Sequence, residues 1–351
     1  MQTWQRLNQN PSLLPRYFVK EYVLEAVRDF FRARNYHELE SPILASSLPQ
    51  ERYLDVLSTD ITLADGTSKK AYLIPSTETY NKKALVAGIG DHFVITKVFR
   101  GLEEISPNHS PEFTMLEWYE LGHTYFDLMD STEEMIRKAW QHVQEEQGIE
   151  PVTYITYQGE RIELGEKWYR YSVRELLKAH VGIDLDEIQE LPIFQAKAKE
   201  AVVNVDGTES WQDLFELVFA DKIEPNLPKD KPVFVYDYPS QVCVLTKINE
   251  KDPKVCEKVE IYMAGKELGN GYTELLDAEE QKKRFDEEQK ARKELERPDI
   301  AYDCELIEAL RAGMPPVAGI GIGIDRLVMI MADCTSISDI NLFPATEMFN
   351  S

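Results

Sequence analysis

The sequence is short of positive charge. Its 351 residues carry 39 Lys and Arg against 62 Asp and Glu, a formal net charge of −23. That balance speaks against a surface built mainly to hold a polyanion, because nucleic-acid binding is driven largely by Lys and Arg displacing counterions. An acidic pocket, by contrast, suits a cationic substrate. Long apolar runs are missing too: no stretch approaches the ~20 residues that a membrane span needs. The N-terminus lacks the basic and apolar regions of a signal peptide, so a cytoplasmic location is expected. Cys243, Cys256, Cys304 and Cys334 show no Cys-x-x-Cys spacing, and none of the six histidines forms a His-Glu-x-x-His pair. Neither a zinc site nor a disulfide framework is indicated, and four buried, reduced thiols are expected. There is no internal repeat and no low-complexity linker.

What is present is an ordinary globular composition, 43% apolar, in a chain long enough to bury a sizeable core as one large α/β domain or two smaller ones. From Pro15 to Asn35, Phe18, Tyr22, Val23, Ala26, Val27, Phe30 and Phe31 fall on one stripe at helical spacing, which predicts an amphipathic helix. Its Arg16, Lys20, Arg28, Arg32 and Arg34 form either a local basic patch or a solvated face. Tyr36 to Leu44 is expected as a strand with Pro42 at an edge or end. Ser76 or Thr77 can cap a helix through about Ala87, closed by Gly88, with Glu78 in its first turn. Phe126 to Gly148 is a further helix, capped near Asp127. Tyr154 to Leu164 resembles a hairpin, and helices follow Ser172 and begin near Trp211. Val233 to Tyr238 and Val242 to Lys247 are expected as strands of the main sheet. Glu279 to Arg297, with alternating charge signs, predicts a solvated helix.

Residues 98 to 119 are the most informative stretch. His92 to Arg100 and Pro111 to Tyr119 fit two half-buried antiparallel strands joined by a loop too long and polar for a tight hairpin. Arg100 stands where the first strand ends, and its planar fork suits a carboxylate or phosphate. Glu103, Glu104 and His109 share the loop. Phe113 and Glu117, four apart in an extended segment, point to one face, an aromatic plate beside a carboxylate. An ordinary hairpin with a charged loop would carry the same composition.

Two later stretches add chemistry. Val259 to Leu275 predicts a hairpin turning at Ala264-Gly265, across which Glu260 and Glu267 could face each other. Like charges so placed repel, so they need a cation or a generous turn, and magnesium on nucleotide phosphates commonly uses one or two carboxylates. Gly319, Gly321 and Gly323 alternate, unlike the Gly-x-Gly-x-x-Gly of a dinucleotide fold. Period two leaves one bare strand face, open to a flat ligand or to close packing. Asp325 can cap the next helix, and Arg326 emerges in its first turn.

The wording of these stretches resembles one family. Phe-Arg, then His-x-Pro-Glu-Phe-Thr-Met-Leu-Glu-Trp-Tyr, is similar to motif 2 of class II aminoacyl-tRNA synthetases of the lysine type, and more narrowly to their paralogues, the elongation factor P lysine ligases. The helix, strand and Glu-x-Pro around Pro42 resemble motif 1, which builds the family's homodimer interface. Gly-Ile-Gly-Ile-Gly-Ile-Asp-Arg resembles motif 3. The resemblance runs from about Pro15 to Pro344 and implies a single α/β (α+β) catalytic domain over 1–351, an antiparallel sheet flanked by helices, with a helical insertion near 165–230 and no anticodon-binding domain. It implies ATP contacts from Arg100, Glu103, His109, Phe113, Gly321, Gly323 and Arg326, with Arg100 and Arg326 catalytic. Lysine or β-lysine contacts fall on Glu78, Glu117, Tyr119, Asn270, Tyr272 and Glu274, and magnesium on Glu260 and Glu267.

Two departures stand out. Ser106-Pro107-Asn108 precedes His109 where the family usually has an arginine, and the loop is one residue longer than in the ligase pattern. Gly269 matches the synthetases, whereas familiar β-lysine ligases have alanine there. The expected activity is formation of an aminoacyl-adenylate from ATP and lysine or β-lysine, then transfer to a lysine of elongation factor P. Transfer to tRNA or to a small amine is the alternative enzyme, and a non-catalytic lysine or ATP sensor is the alternative of another class.

Overall fold

The computed structural model describes residues 2–101, 105–201 and 205–349. Its strands are β1 (His37–Glu38), β2 (Leu44–Ala45), β3 (Ser58–Thr62), β4 (Ser68–Leu73), β5 (His92–Phe99), β6 (Glu112–Leu121), β7 (Tyr154–Tyr157), β8 (Glu160–Glu163), β9 (Tyr169–Ser172), β10 (Val233–Pro239), β11 (Val255–Met263), β12 (Lys266–Thr273) and β13 (Val317–Gly323). The helices are α1 (Thr3–Gln9), α2 (Leu14–Arg32), α3 (Glu78–Val86), α4 (Tyr125–Glu146), α5 (Val173–Leu176), α6 (Leu191–Ala201), α7 (Trp211–Val218), α8 (Ala278–Glu294), α9 (Cys304–Gly313), α10 (Ile324–Met331) and α11 (Ala345–Phe349). None is long and apolar enough to cross a membrane.

Eight strands form the main sheet in the order β1-β5-β6-β13-β12-β11-β10-β9. The six inner strands pair antiparallel, and only the edge strands β1 and β9 are parallel to their neighbours. Alternation along β6 assigns its residues to two faces. Leu116 and Trp118 enter the core under α2 and α4, where Phe31 packs on Phe93 at 4.8 Å and on Trp118 at 5.3 Å between ring centres. Phe113, Met115, Glu117 and Tyr119 take the opposite face, on which the cavities lie. This central strand is covered on both sides and its residues 114–120 are all buried, so the half-buried expectation gives way to a site built inside the fold. Trp118→Ala would cost ~3–5 kcal/mol through the cavity it leaves.

Several local expectations are corrected. Tyr36 to Leu44 supplies only β1 and β2, with Pro42 in the break between them. Thr124, not Asp127, is the N-cap of α4, and Asp127 completes a reciprocal capping box by accepting from the Thr124 backbone N–H at 2.8 Å. Val242 to Lys247 is not a strand. The Arg284 side chain from α8 donates to the carbonyls of Cys243 and Thr246, and Gln281 to that of Val244, so side chains take up bonds that a sheet neighbour would otherwise make. Nor is α8 wholly solvated. Glu288 and Arg292 are buried, the first paired with Arg52 and the second donating to the carbonyls of Glu51 and Leu54 at 2.7 Å each. The four thiols are not all free and buried: Cys243 and Cys256 form a disulfide, their Cα atoms 6.6 Å apart, and Cys304 is exposed. The turn after β10 folds the chain back beside β11, a proximity that a 13-residue spacing does not reveal.

The basic residues of α2 and of the turn after it are mostly neutralised: Lys20 by Asp325, Arg28 and Arg32 by Glu38, and Arg34 by Glu134. Apart from Lys20, which is largely buried against Asp325, this is an ion-paired surface rather than a patch awaiting a polyanion. A second buried cluster, centred on Trp211, Phe215 and Phe219, joins α5, α6 and α7 to β10 and β11.

Candidate active site

Two cavities, about 470 and 270 Å³, share Arg100, Met115, Asn270 and Gly321 as walls. Antiparallel pairing sets Gly321 opposite both Glu117 and Asn270. The site thus lies where β6, β13 and β12 run side by side, and most of the expected residues converge on it.

The larger cavity contains Glu78, Glu117, Tyr119, Asn270, Tyr272 and Glu274. A residue not anticipated from the sequence organises them. Lys82, one turn along α3 from Glu78, is buried and bridges Glu78 at 2.5 Å and Glu274 at 2.7 Å. Burial opposes its charge, but Glu274 and Glu78 overcome that and raise its pKa. Glu117 accepts from the Thr77 N–H at 2.8 Å and from Asn81 at 3.2 Å, which ties β6 to the start of α3. Burial pushes Glu117 up to about 7 and Glu274 up to about 8, with Glu78 adding repulsion to both and Lys82 opposing the rise at Glu274. Three carboxylates against one ammonium leave two negative charges in excess when all are ionised. That is the complement of a ligand with two ammonium groups.

The bare face of β13 has two uses. A Cβ on Gly319 would lie 2.4 Å from the Tyr119 ring, so this glycine makes room for a tyrosine that also stacks on His92. Around Gly321 the nearest atoms to such a carbon are Glu117 Cγ at 3.4 Å and Met115 Sδ at 3.6 Å, and here the bare backbone faces the cavities. At Gly269 a Cβ would stand 1.9 Å from the Gly321 carbonyl oxygen. No alanine fits without moving backbone.

The smaller cavity is lined by Arg100, His109, Phe113, Gly323 and Arg326 among others. The Arg100 guanidinium lies 5.5 Å from the centre of the Phe113 ring. Arg326 donates to the carbonyls of Glu267 at 2.7 Å and Asn108 at 3.2 Å, which fixes its fork at the cavity wall. Asp325 does not cap α10, whose N-cap is Gly323. It is buried and accepts from Thr114 N–H at 2.6 Å and Lys20 at 2.7 Å, locking motif-like β6 to α10. His109 pairs with Ser106 at 3.0 Å. Glu103 and Glu104 lie outside the described residues. Lys266 reaches the Asn108 side chain at 2.9 Å, and burial together with Arg326 and Lys229 lowers its pKa. It brings a cation to the loop position where the expected arginine is missing.

Glu260 and Glu267 are not directly opposite. A bulge at Leu268 sets Tyr262 against Glu267 and Asn270 against Glu260, so the two acids are diagonal neighbours. Glu260 pairs with Lys258 at 2.8 Å and accepts from Tyr238 and Tyr262 at 2.6 and 2.7 Å. Burial and the charge on Glu260 push Glu267 up to about 7. A divalent cation would relieve that repulsion, so these two side chains fit one.

Comparison with known proteins agrees with this geometry. Residues 3–347 match the model of the class II tRNA synthetases of the D, K and N type. The chain is 35% identical over 338 residues to a protein of Carboxydothermus hydrogenoformans named lysine–tRNA ligase, covering 95% of this chain and 66% of that one. It is 32% identical over 344 residues to a protein of Enterobacter sp. (strain 638) named elongation factor P–(R)-β-lysine ligase, covering 97% of both. A Salmonella arizonae protein of the same name is also 32% identical, again over 97% of both chains. The chain spans about two thirds or less of the length of the lysine–tRNA ligases it matches. With a family model covering nearly all its residues and the expected sheet beneath its site, the chain belongs to the class II tRNA synthetase family of the D, K and N type.

Proposed function

We propose that this chain activates lysine with ATP to form lysyl-adenylate and transfers the lysyl group to an amine of a protein, with elongation factor P the candidate acceptor. The observation that carries the lysine assignment is the buried set Glu78, Glu117 and Glu274, which is only partly neutralised by Lys82. In the first step the lysine carboxylate attacks the α-phosphorus in line and pyrophosphate leaves. The protein's part is positioning and charge neutralisation. Arg100 lines both cavities and would hold the carboxylate and the α-phosphate. Phe113 offers a face to adenine, and Arg326 offers its remaining N–H groups to the phosphates. Glu260 and Glu267 would hold magnesium, which offsets phosphate charge when bound.

Support for a protein acceptor is the match to the elongation factor P ligases over 97% of both chains. Two observations favour the second reading, lysine transfer to tRNA: the identity to lysine–tRNA ligases, and Gly269, which is as in the synthetases and leaves no space for alanine. Gly269 also supports α-lysine over β-lysine as the substrate. A homodimer through the motif 1 segment is part of this proposal, with Phe18, Ile43 and Leu44 exposed there.

Lysine-dependent exchange between pyrophosphate and ATP tests activation, with α-lysine and β-lysine offered separately. Intact-protein mass spectrometry of elongation factor P and an acid-precipitation assay of total tRNA then compare acceptors. A single lysyl adduct on the protein with slow tRNA charging is expected. Efficient tRNA charging without an adduct would favour the second reading, and absence of exchange would favour the sensor.

A further inference from the structure

The larger cavity extends beyond the groups that would hold lysine. Its remaining wall includes Glu51, Arg52, Gln212, Glu216, Lys258 and Glu288, and no role has yet been given to this part. Most of its charges are already matched. Arg52 is bidentate to Glu288, and Lys258 pairs with Glu260. Glu51 and Glu216 differ, because neither carboxylate has a hydrogen-bond or ion-pair partner among the described residues. Glu51 is half-buried and Glu216 is exposed, so both carboxylates stay open at the cavity to a ligand that donates or carries positive charge.

Glu51 is presented rigidly. Arg292 holds the carbonyls of Glu51 and Leu54, Arg52 is locked to α8, and Arg297 donates to Asp55 at 2.8 Å. The same segment runs beside the reaction centre, since the Gly101 N–H donates to the Asp55 carbonyl at 2.9 Å. Four charged groups face the Glu51 carboxylate. Glu78 and Glu288 repel its charge, while Arg100 and Lys258 stabilise it, and burial is the largest influence, pushing it up to about 7. Arg100 is also the group proposed to meet the activated carboxyl, and Glu78 belongs to the set proposed to hold the lysine ammonium groups.

We infer that this outer chamber is the acceptor site, in which Glu51 receives the ammonium of the incoming amine and takes its proton, with Glu216 on α7 as a second negative wall. This inference rests on the proposed lysine activation. In the transfer, the acceptor ammonium gives one proton to Glu51. The freed amine nitrogen attacks the carbonyl carbon of lysyl-adenylate, a C–N bond forms, and the bond from that carbon to the phosphate oxygen breaks. AMP leaves with the electron pair, and the second nitrogen-bound proton passes to water. The amide, AMP and protonated Glu51 balance the step. The chamber's excess negative charge favours an alkylammonium over the polyanionic end of an RNA.

Wild type, Glu51→Gln and Glu51→Asp are compared in two assays. Lysine-dependent pyrophosphate exchange reports activation. AMP release from enzyme-bound lysyl-adenylate on adding Nα-acetyl-lysine methylamide reports transfer, followed from pH 6 to 9, with hydroxylamine as a neutral amine that needs no ammonium site. Glu51→Gln is expected to keep exchange within about twofold of wild type, to lose amine-dependent AMP release at least about thirtyfold, and to retain release by hydroxylamine, with partial recovery in Glu51→Asp. The inference is overturned if Glu51→Gln transfers to the lysine amide as fast as wild type, or loses exchange and transfer equally. It is also overturned if wild-type adenylate is consumed by tRNA but not by the amine. Absence of exchange in wild type would instead reject the underlying activation.

Discussion

The two cavities that meet at Gly321 are prepared in opposite senses. On the side of Glu117 and Glu274, buried carboxylates carry pKa values raised to about 7 and about 8. Beside the other, Lys266 has its pKa lowered by burial and by the neighbouring cations Arg326 and Lys229. The first region holds carboxylates in excess, whereas the second sets cations beside one strained acid, Glu267, and each relaxes when groups of complementary charge arrive. A single bare strand separates them, so an amino acid can place its ammonium groups on one side and its carboxylate towards a nucleotide's phosphate on the other. The difference shows that selectivity here is stored as unmatched charge rather than as shape alone.

The sharpest way to break the comparison is at Lys82, the only ammonium pairing with the acidic set among the described residues. Removing one partner of a buried ion pair typically costs ~3–5 kcal/mol, so Lys82→Met should lower the thermal midpoint by several degrees. Lowering the pH towards 6 should recover part of the loss by protonating Glu274, whose pKa is raised to about 8. A midpoint unchanged at pH 8 would mean that the bridge contributes nothing to the fold.

On the cationic side, Arg326→Ala should lower pyrophosphate exchange by ~10²–10³-fold, the usual cost of deleting one preorganised charge stabiliser. The two carbonyl bonds that Arg326 makes are at a cavity wall, so far-UV circular dichroism should be unchanged. Exchange at the wild-type rate would remove Arg326 from the nucleotide site. Glu117→Gln tests the acidic side more gently, since the amide still accepts from Thr77. Losing one charge-assisted contact is worth ~1.5–3 kcal/mol, so the KM for lysine should rise roughly ten- to a hundredfold while the KM for ATP stays near wild type. Equal changes in both constants would show that Glu117 supports the sheet instead.

How far the sequence revealed this site depended on whether its contacts were local. β5, β6, the β11–β12 hairpin and the alternating glycines of β13 were legible because period two and a turn pair such as Ala264-Gly265 are written within a few residues. Motif wording added which faces would meet. Lys82 was not legible. On α3 it looks like any helix-surface lysine, and its burial comes from Glu274, almost 200 residues away and carried beside it by the sheet order. The same holds for Asp325, read as a cap because it opens a helix, yet used to hold Lys20 and Thr114. The diagonal placement of Glu260 and Glu267 turns on one bulged residue, Leu268, for which pattern gives no sign. In α8 the charge pattern concealed a buried Arg292 because its partners are backbone carbonyls, which leave no trace in composition.

The smallest expected effect is a pH dependence that follows from the raised acids. Glu117 and Glu274 have folded pKa values near 7 and 8, above the ~4.3 of an unfolded glutamate. Between those limits the folded, unliganded protein binds more protons than the unfolded chain, so this contribution to stability falls as pH rises from about 5 to 8. An ammonium ligand reverses the balance, because it favours the ionised carboxylates. The thermal shift produced by saturating lysine should therefore grow between pH 6 and pH 8, and the KM for lysine should fall over the same window. For one proton released on binding the limit is about tenfold per pH unit; Glu117 alone, titrating near 7, accounts for about tenfold between pH 6 and pH 8, so a change of at least about tenfold across the window is expected. The KM for ATP should vary less, since neither Glu117 nor Glu274 is among the proposed ATP contacts. A KM for lysine that is flat from pH 6 to pH 8 would mean that Glu117 and Glu274 are already ionised without ligand, and the contrast between the two cavities would then rest on the cationic side alone.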